Sequence, residues 1–136
     1  MKMNSAKQLL KEKDATLVLI NGENVCVYNE RGIKTLLKLL QNSPHLLKDA
    51  QVADKIVGKA AALLMTAGGV KEVYAETISE SAIKVFQKHG ISFSFGISTP
   101  QIINRAGTGP CPMESCVEKI DDPACAYEAL KQKIKA

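Results

Sequence analysis

Residues 107–116 read GTGPCPMESC, which sets a glycine-rich turn, two cysteines and a glutamate within ten positions. Three chemistries come to mind: a metal clip, a redox pair, or one reactive thiol beside a packing residue. Cys111 precedes Pro112, a residue suited to the first position of a helix. The thiol therefore falls at or next to the helix cap, where free N–H groups and the helix dipole favour a thiolate. Glu114 lies in the first turn of the same helix, as a cap partner or as a general base. Cys116 joins Met113, Val117 and Ile120 at helical spacing, which makes it a core cysteine. The two thiols are five helical steps apart, about 140° off one face, so a disulfide would require the first turn to unwind. A metal site from Cys111, Cys116 and Cys125 lacks familiar ligand spacing, and His45 and His89 are the only histidines. No metal or cofactor is expected.

Five further residues extend the candidate site. Asn104 and Arg105 sit between the last strand and the glycine-rich turn, where Arg105 could clamp a carboxylate or phosphate, or pin the turn through carbonyls. Gly58 and Lys59 read as the middle of a helix. A glycine there costs about 1 kcal/mol against alanine, so a close approach should compensate: tight packing, or backbone access for a ligand. Lys59 either contacts an anion or is solvated. Glu76, at the carboxyl end of its strand, should face the same pocket, with capping or solvent contact as the alternative.

These residues need elements to hold them. Ala6, Leu9 and Leu10 give a short first helix. TLVLINGENVCVYN gives a hairpin about Asn21-Gly22. Ile33, Leu36, Leu37 and Leu40 mark one helical face, ended by Pro44. ADKIVGKAAALLMTAGG then reads as a buried helix with Asp54 as N-cap and Gly68-Gly69 as stop. VKEVYAE is a strand, and TISESAIKVFQKHG a helix with a Thr77–Glu80 capping box. ISFSFG is a strand, PQIINR a short further one, and helices run from Pro112 to about Ile120 and from Pro123 onward. The order predicts one α/β domain over residues 1–136, three layers α-β-α with a mixed sheet of four to five strands.

Bulk properties narrow the partners. The net charge of +4 is scattered along helical faces, and only 4% of residues are aromatic, so the stacking platform of a single-strand nucleic-acid binder is absent. No apolar run approaches the roughly 18 residues of a membrane span. Four cysteines and no export signal at the start predict reduced thiols in a cytoplasm. An edge strand such as PQIINR needs cover, which makes a homo-oligomer a reasonable expectation.

The element order, DKIVGKAAALL, IINRAGTGPCPMES and the tail DDPACAYEALK resemble a small prokaryotic family of domains of unknown function within the cytidine-deaminase-like fold. The likeness runs nearly end to end, and the IINR…CPME string carries most of its specificity. It implies a fold and a test for zinc. Deaminases of that fold take a His or Cys ligand and a catalytic Glu from one helix start, and two cysteines from the next. Here those starts read VADKIVGKAAALL and YAETISESA, with none of the three ligands and no glutamate in the first. Zinc-dependent deamination by that route is not expected. Three readings remain: a zinc-free domain binding a small anionic or nucleotide-like ligand; a thiol enzyme with Cys111 as nucleophile, Glu114 or Lys59 tuning it and Arg105 holding substrate; or a structural protein with no small-molecule site.

Overall fold

The computed structural model describes residues 2–30, 32–102 and 112–135. Helix α1 (Lys2–Glu12) leads into an antiparallel hairpin, β1 (Leu17–Asn21) and β2 (Asn24–Tyr28), turning at Gly22 and Glu23. Helices α2 (Gly32–Asn42) and α3 (Pro44–Leu47) follow, then β3 (Gln51–Val57), α4 (Lys59–Gly68), β4 (Glu72–Ser79), α5 (Glu80–His89) and β5 (Ser92–Thr99). Helices α6 (Pro112–Cys116) and α7 (Pro123–Lys135) close the chain. The five strands lie in the order β2-β1-β3-β4-β5. The β1 strand is antiparallel to both neighbours, and β3, β4 and β5 are mutually parallel. The expected mixed sheet is present, with five strands.

Helices cover the two faces unequally. Leu17, Leu19, Val52, Val73, Ala75 and Ile78 of the sheet join the main core with residues of α2, α4, α5 and α7. On the other face Val18, Ile20, Ala53 and Tyr74 pack with Ala6 and Leu10 of α1 in a smaller, separate core. Ala60 to Met65 of α4 are all buried, as a helix apolar on every side must be when others surround it. Gly69 and Gly90 end α4 and α5 in the left-handed conformation, at φ 79° and 69°.

Several boundaries differ from the expected ones. Residues 51–57 form strand β3, whereas residues 53–57 read in the sequence as the start of a helix. A strand buried on both faces loses its period-two alternation, and its apolar residues merge with the alanine run that follows. Asp54 is consequently a buried strand residue and caps nothing. Gly58 is the N-cap of α4, not a mid-helix residue. Strand β4 continues through Thr77, and Ser79 caps α5 by accepting from the Ala82 amide at 3.1 Å, so Thr77–Glu80 is no capping box. The loop after Pro44 contains α3, whose carbonyl end is held by Asn21. Its carboxamide donates to the carbonyls of His45, Leu46 and Lys48 at 2.9–3.2 Å. Helix α6 stops at Cys116, short of Ile120. Of PQIINR, Pro100 to Ile102 are not strand and the rest lies outside the described residues; among the described residues β5 is the last strand of the sheet.

Candidate functional site

Strand β3 delivers the chain to Gly58 in extended conformation, and α4 starts with no side-chain cap of its own. Its first amides would be unpaired. Glu114, from α6, supplies what is missing: one carboxylate oxygen accepts from the Lys59 amide at 2.7 Å, the other from the Ala60 amide at 2.8 Å. These bonds are charge-assisted and lie where the dipole of a ten-residue helix favours an anion. The expected role of Glu114 changes accordingly. It caps α4 from a distance instead of its own helix, and both oxygens are engaged, which leaves it poorly placed as a free general base.

The same contact explains Gly58. A Cβ there would lie 2.5 Å from the Glu114 Cδ, 2.8 Å from Oε2 and closer still to Oε1. The close approach inferred for this glycine is real, but its occupant is the protein's own carboxylate. Lys59 is tethered as well. Its side chain is 13% exposed, and its ammonium pairs with Asp121 Oδ1 at 3.1 Å and donates to the Glu118 carbonyl at 3.0 Å. That hydrogen bond and charge hold the Asp121 carboxyl below its ordinary range. Backbone and side chain at the start of α4 thus secure α6 and the turn after it.

Two hollows flank Lys59, each of about 270 Å³. The first is bordered by Ser81, Gln101, Glu114, Ser115 and Glu118. The second is bordered by Ser81, Lys84, Lys88, His89 and Asp121. Lys59 and Ser81 line both, so the hollows adjoin at the starts of α4 and α5, beyond the carboxyl ends of parallel β3 and β4. In open α/β sheets that is where ligands bind. The charges differ between the two: two carboxylates accompany Lys59 in the first, and two further lysines, a histidine and the single Asp121 carboxylate in the second.

Of the residues anticipated from sequence, Gly58, Lys59 and Glu114 come together here. Glu76 does not. It lies in β4 within electrostatic reach of Lys55, which pairs with Asp14 at 2.8 Å after α1, and it lines neither hollow. Asn104, Arg105 and Cys111 fall outside the described residues. Cys116 is half-buried against the main core, as its spacing implied. Ser81, Lys84, Lys88, Glu118 and Asp121 went unnoticed in the sequence. Only Lys84 and Lys88, one helical turn apart on α5, carry a readable signal.

Asp54 was also missed as a titrating group. It is 3% exposed, opposite Leu17 and Ala75 in the ladders; Oδ1 accepts from the Ile56 amide at 3.3 Å, and Oδ2 has no partner. Burial pushes its carboxyl up to about 7 against the smaller opposing pull of backbone amides. Among the described residues, no three His, Cys, Asp or Glu side chains are grouped to hold a metal ion. Nor is any described helix long and apolar enough to cross a membrane.

Comparison with known proteins agrees with this architecture. None of the curated proteins compared matches the chain. The crystal structure of a DUF1893 family protein, TM1506 from Thermotoga maritima, is 28% identical, with a TM-score of 0.85 over 96% of this chain and 88% of that one. The family profile described as TM1506, domain of unknown function (DUF1893), matches residues 5–134. The chain belongs to the DUF1893 family.

Proposed function

We propose that this chain is a zinc-free binding domain of cytidine-deaminase-like fold that takes a small anionic, nucleotide-like ligand in the cleft beside Lys59. The cleft carries this reading: two adjoining hollows at the carboxyl ends of parallel strands, with Lys84, Lys88 and His89 gathered in one of them. Each alone, at about 270 Å³, approaches the lower end of the roughly 300–1,000 Å³ typical of small-molecule sites. The lysine-bearing hollow suits a phosphate or carboxylate. The Gln101 and Ser115 side offers neutral hydrogen-bonding groups to the remainder of the molecule.

The deaminase-like part of the reading is supported by where α4 and α5 begin. Their starts, at Gly58-Lys59 and Ser79-Glu80, follow adjacent parallel strands and are the two segments from which a deaminase of that fold would take its zinc ligands. In this chain the first start is bound by the Glu114 carboxylate instead, and the second offers a serine. The geometry favours recognition over zinc-activated hydrolysis.

Thermal shifts with a panel of nucleoside phosphates, sugar phosphates and dicarboxylates test the proposal. A ligand at about a hundred times its Kd should stabilise the fold by about 2.7 kcal/mol. That shift should vanish in the double variant Lys84→Glu/Lys88→Glu, at two exposed positions of α5. No shift with any compound, or a shift that survives the double variant, overturns the assignment of this cleft.

A further inference from the structure

We propose that the hollow between strand β2 and helix α2 is a second binding site, one that takes a small uncharged molecule with amide or hydroxyl groups on an apolar frame.

The hollow measures about 400 Å³, more than either of those beside Lys59 and within the range usual for small-molecule sites. One wall is the end of β2 and the exit from it, residues 27–30. The other is α2, where Thr35, Lys38, Leu39 and Asn42 fall at i, i+3, i+4 and i+7 and so share one helical face. Ser43, just after that helix, also borders the space. Thr16 braces the first wall. Its amide and hydroxyl donate to the Tyr28 carbonyl at 2.9 and 3.0 Å, and the hydroxyl also reaches the Glu30 carbonyl.

Thr35 carries the inference. It is 3% exposed, and its hydroxyl has no hydrogen-bond partner among the described residues. A helical threonine commonly returns its hydroxyl to the carbonyl four residues back. Thr66 of α4 does so, bonding the Ala62 carbonyl at 2.8 Å. Leaving such a group buried and unpaired costs free energy, which a ligand that bonds to it recovers. Ser43 repeats the pattern: it stands at the N-cap of α3, yet its side chain makes no capping bond.

Charge and polarity select the ligand class. Lys38 and Glu30 are the charged side chains at this hollow, and they pair with each other at 3.1 Å. An ion would have to break that pair to be recognised. The polar groups that remain, on Thr35, Ser43, Asn29 and Asn42, are neutral. Tyr28 is neutral as well, because burial and then the neighbouring Cys26 thiol push its phenol up to about 12. Val27 and Leu39 add apolar surface. The site lies at the opposite edge of the sheet from β5, and the inference stands independently of the cleft beside Lys59.

Titration of the isotope-labelled full chain with nicotinamide, uracil, thymidine and adenosine, followed through amide chemical shifts, tests it. At least one compound should move resonances of β2 and α2 saturably, with a dissociation constant that is the same at low and high salt. Thr35→Val keeps the side-chain shape and removes the hydroxyl. It should melt no lower than wild type and bind about tenfold or more weakly. Thr35→Ser restores the hydroxyl and should recover most of the affinity, and Lys84→Glu/Lys88→Glu should bind as wild type does. No saturable shift at β2 and α2 with any of these compounds overturns the proposal, as does binding that salt or the double variant abolishes. Undiminished affinity in Thr35→Val overturns it too, and so does a lower melting temperature, which would mean that the hydroxyl already has a partner in the fold.

Discussion

The Glu114 carboxylate fills the space that any side chain at position 58 would need, and it binds the two amides that follow that position. One contact therefore accounts for a glycine at 58 and a carboxylate at 114, although 56 residues separate them in the chain. The start of α4 is self-capped across the fold.

Gly58→Ala should destabilise the protein by about 2–4 kcal/mol, because the new methyl group expels a carboxylate that pairs two helix-start amides. Urea unfolding measures this directly. Glu114→Ala removes the same contact, so the double variant should lose at least about 1 kcal/mol less than the sum of the single losses. Strict additivity would show that Gly58 serves something other than Glu114.

Asp54 makes stability depend on pH. Its folded carboxyl titrates near 7 instead of 3.8, so the fold resists charging it. The sign follows from linkage: the contribution of Asp54 to stability is greatest below about pH 4, where the group is protonated in both states, and falls as pH rises toward 7 and the unfolded chain releases its proton more readily. The loss is on the order of a few kcal/mol. Asp54→Asn keeps the acceptor for the Ile56 amide and cannot ionise. Melting curves at pH 5 and pH 8 should therefore converge in the variant relative to wild type, with the variant the more stable at pH 8. An unchanged difference between the two pH values would refute a buried, titrating Asp54.

Gly96 of β5 lies hard against the backbone of β4. A Cβ there would stand 2.9 Å from the Glu76 carbonyl oxygen and 3.4 Å from the Tyr74 hydroxyl. The first of these is backbone and cannot swing aside. Gly96→Ala should cost about 1–3 kcal/mol. Ser94→Ala, an exposed position in the same strand, should stay within about 0.5 kcal/mol of wild type. Equal effects in chemical denaturation would rule out the close approach.

The sequence carried the hairpin, most helices and the parallel strands because each announces itself locally: Asn21-Gly22, the leucine face of α2, the glycines after α4 and α5. It failed at residues 51–57, since a strand buried on both faces shows no alternation and runs straight into an alanine-rich helix. That error made Gly58 look like a helix interior and Asp54 like a cap. The pairing of Glu114 with the α4 start was illegible for a different reason. Capping signals are read three or four residues apart, and this cap comes from another helix. Lys59 was noticed for its charge, yet its partners, Asp121 and the Glu118 carbonyl, lie about sixty residues on.

The unequal division of the core sets a hierarchy of motion. Among its described side chains, α1 buries Ala6 and Leu10 fully, with Leu9 partly covered, against the sheet's second face. Lys7 rests over the Tyr74 ring at 4.7 Å. Burying one leucine and neighbouring methyl groups holds a helix by only about 2–4 kcal/mol, whereas α4 is enclosed from every side. Local opening should follow that difference, with α1 lifting from the sheet while the rest stays folded. Its amides would then take up deuterium long before those of α4. The native state would include a minor population in which Val18, Ile20 and Ala53 are exposed to water, a face of the sheet that the closed molecule conceals.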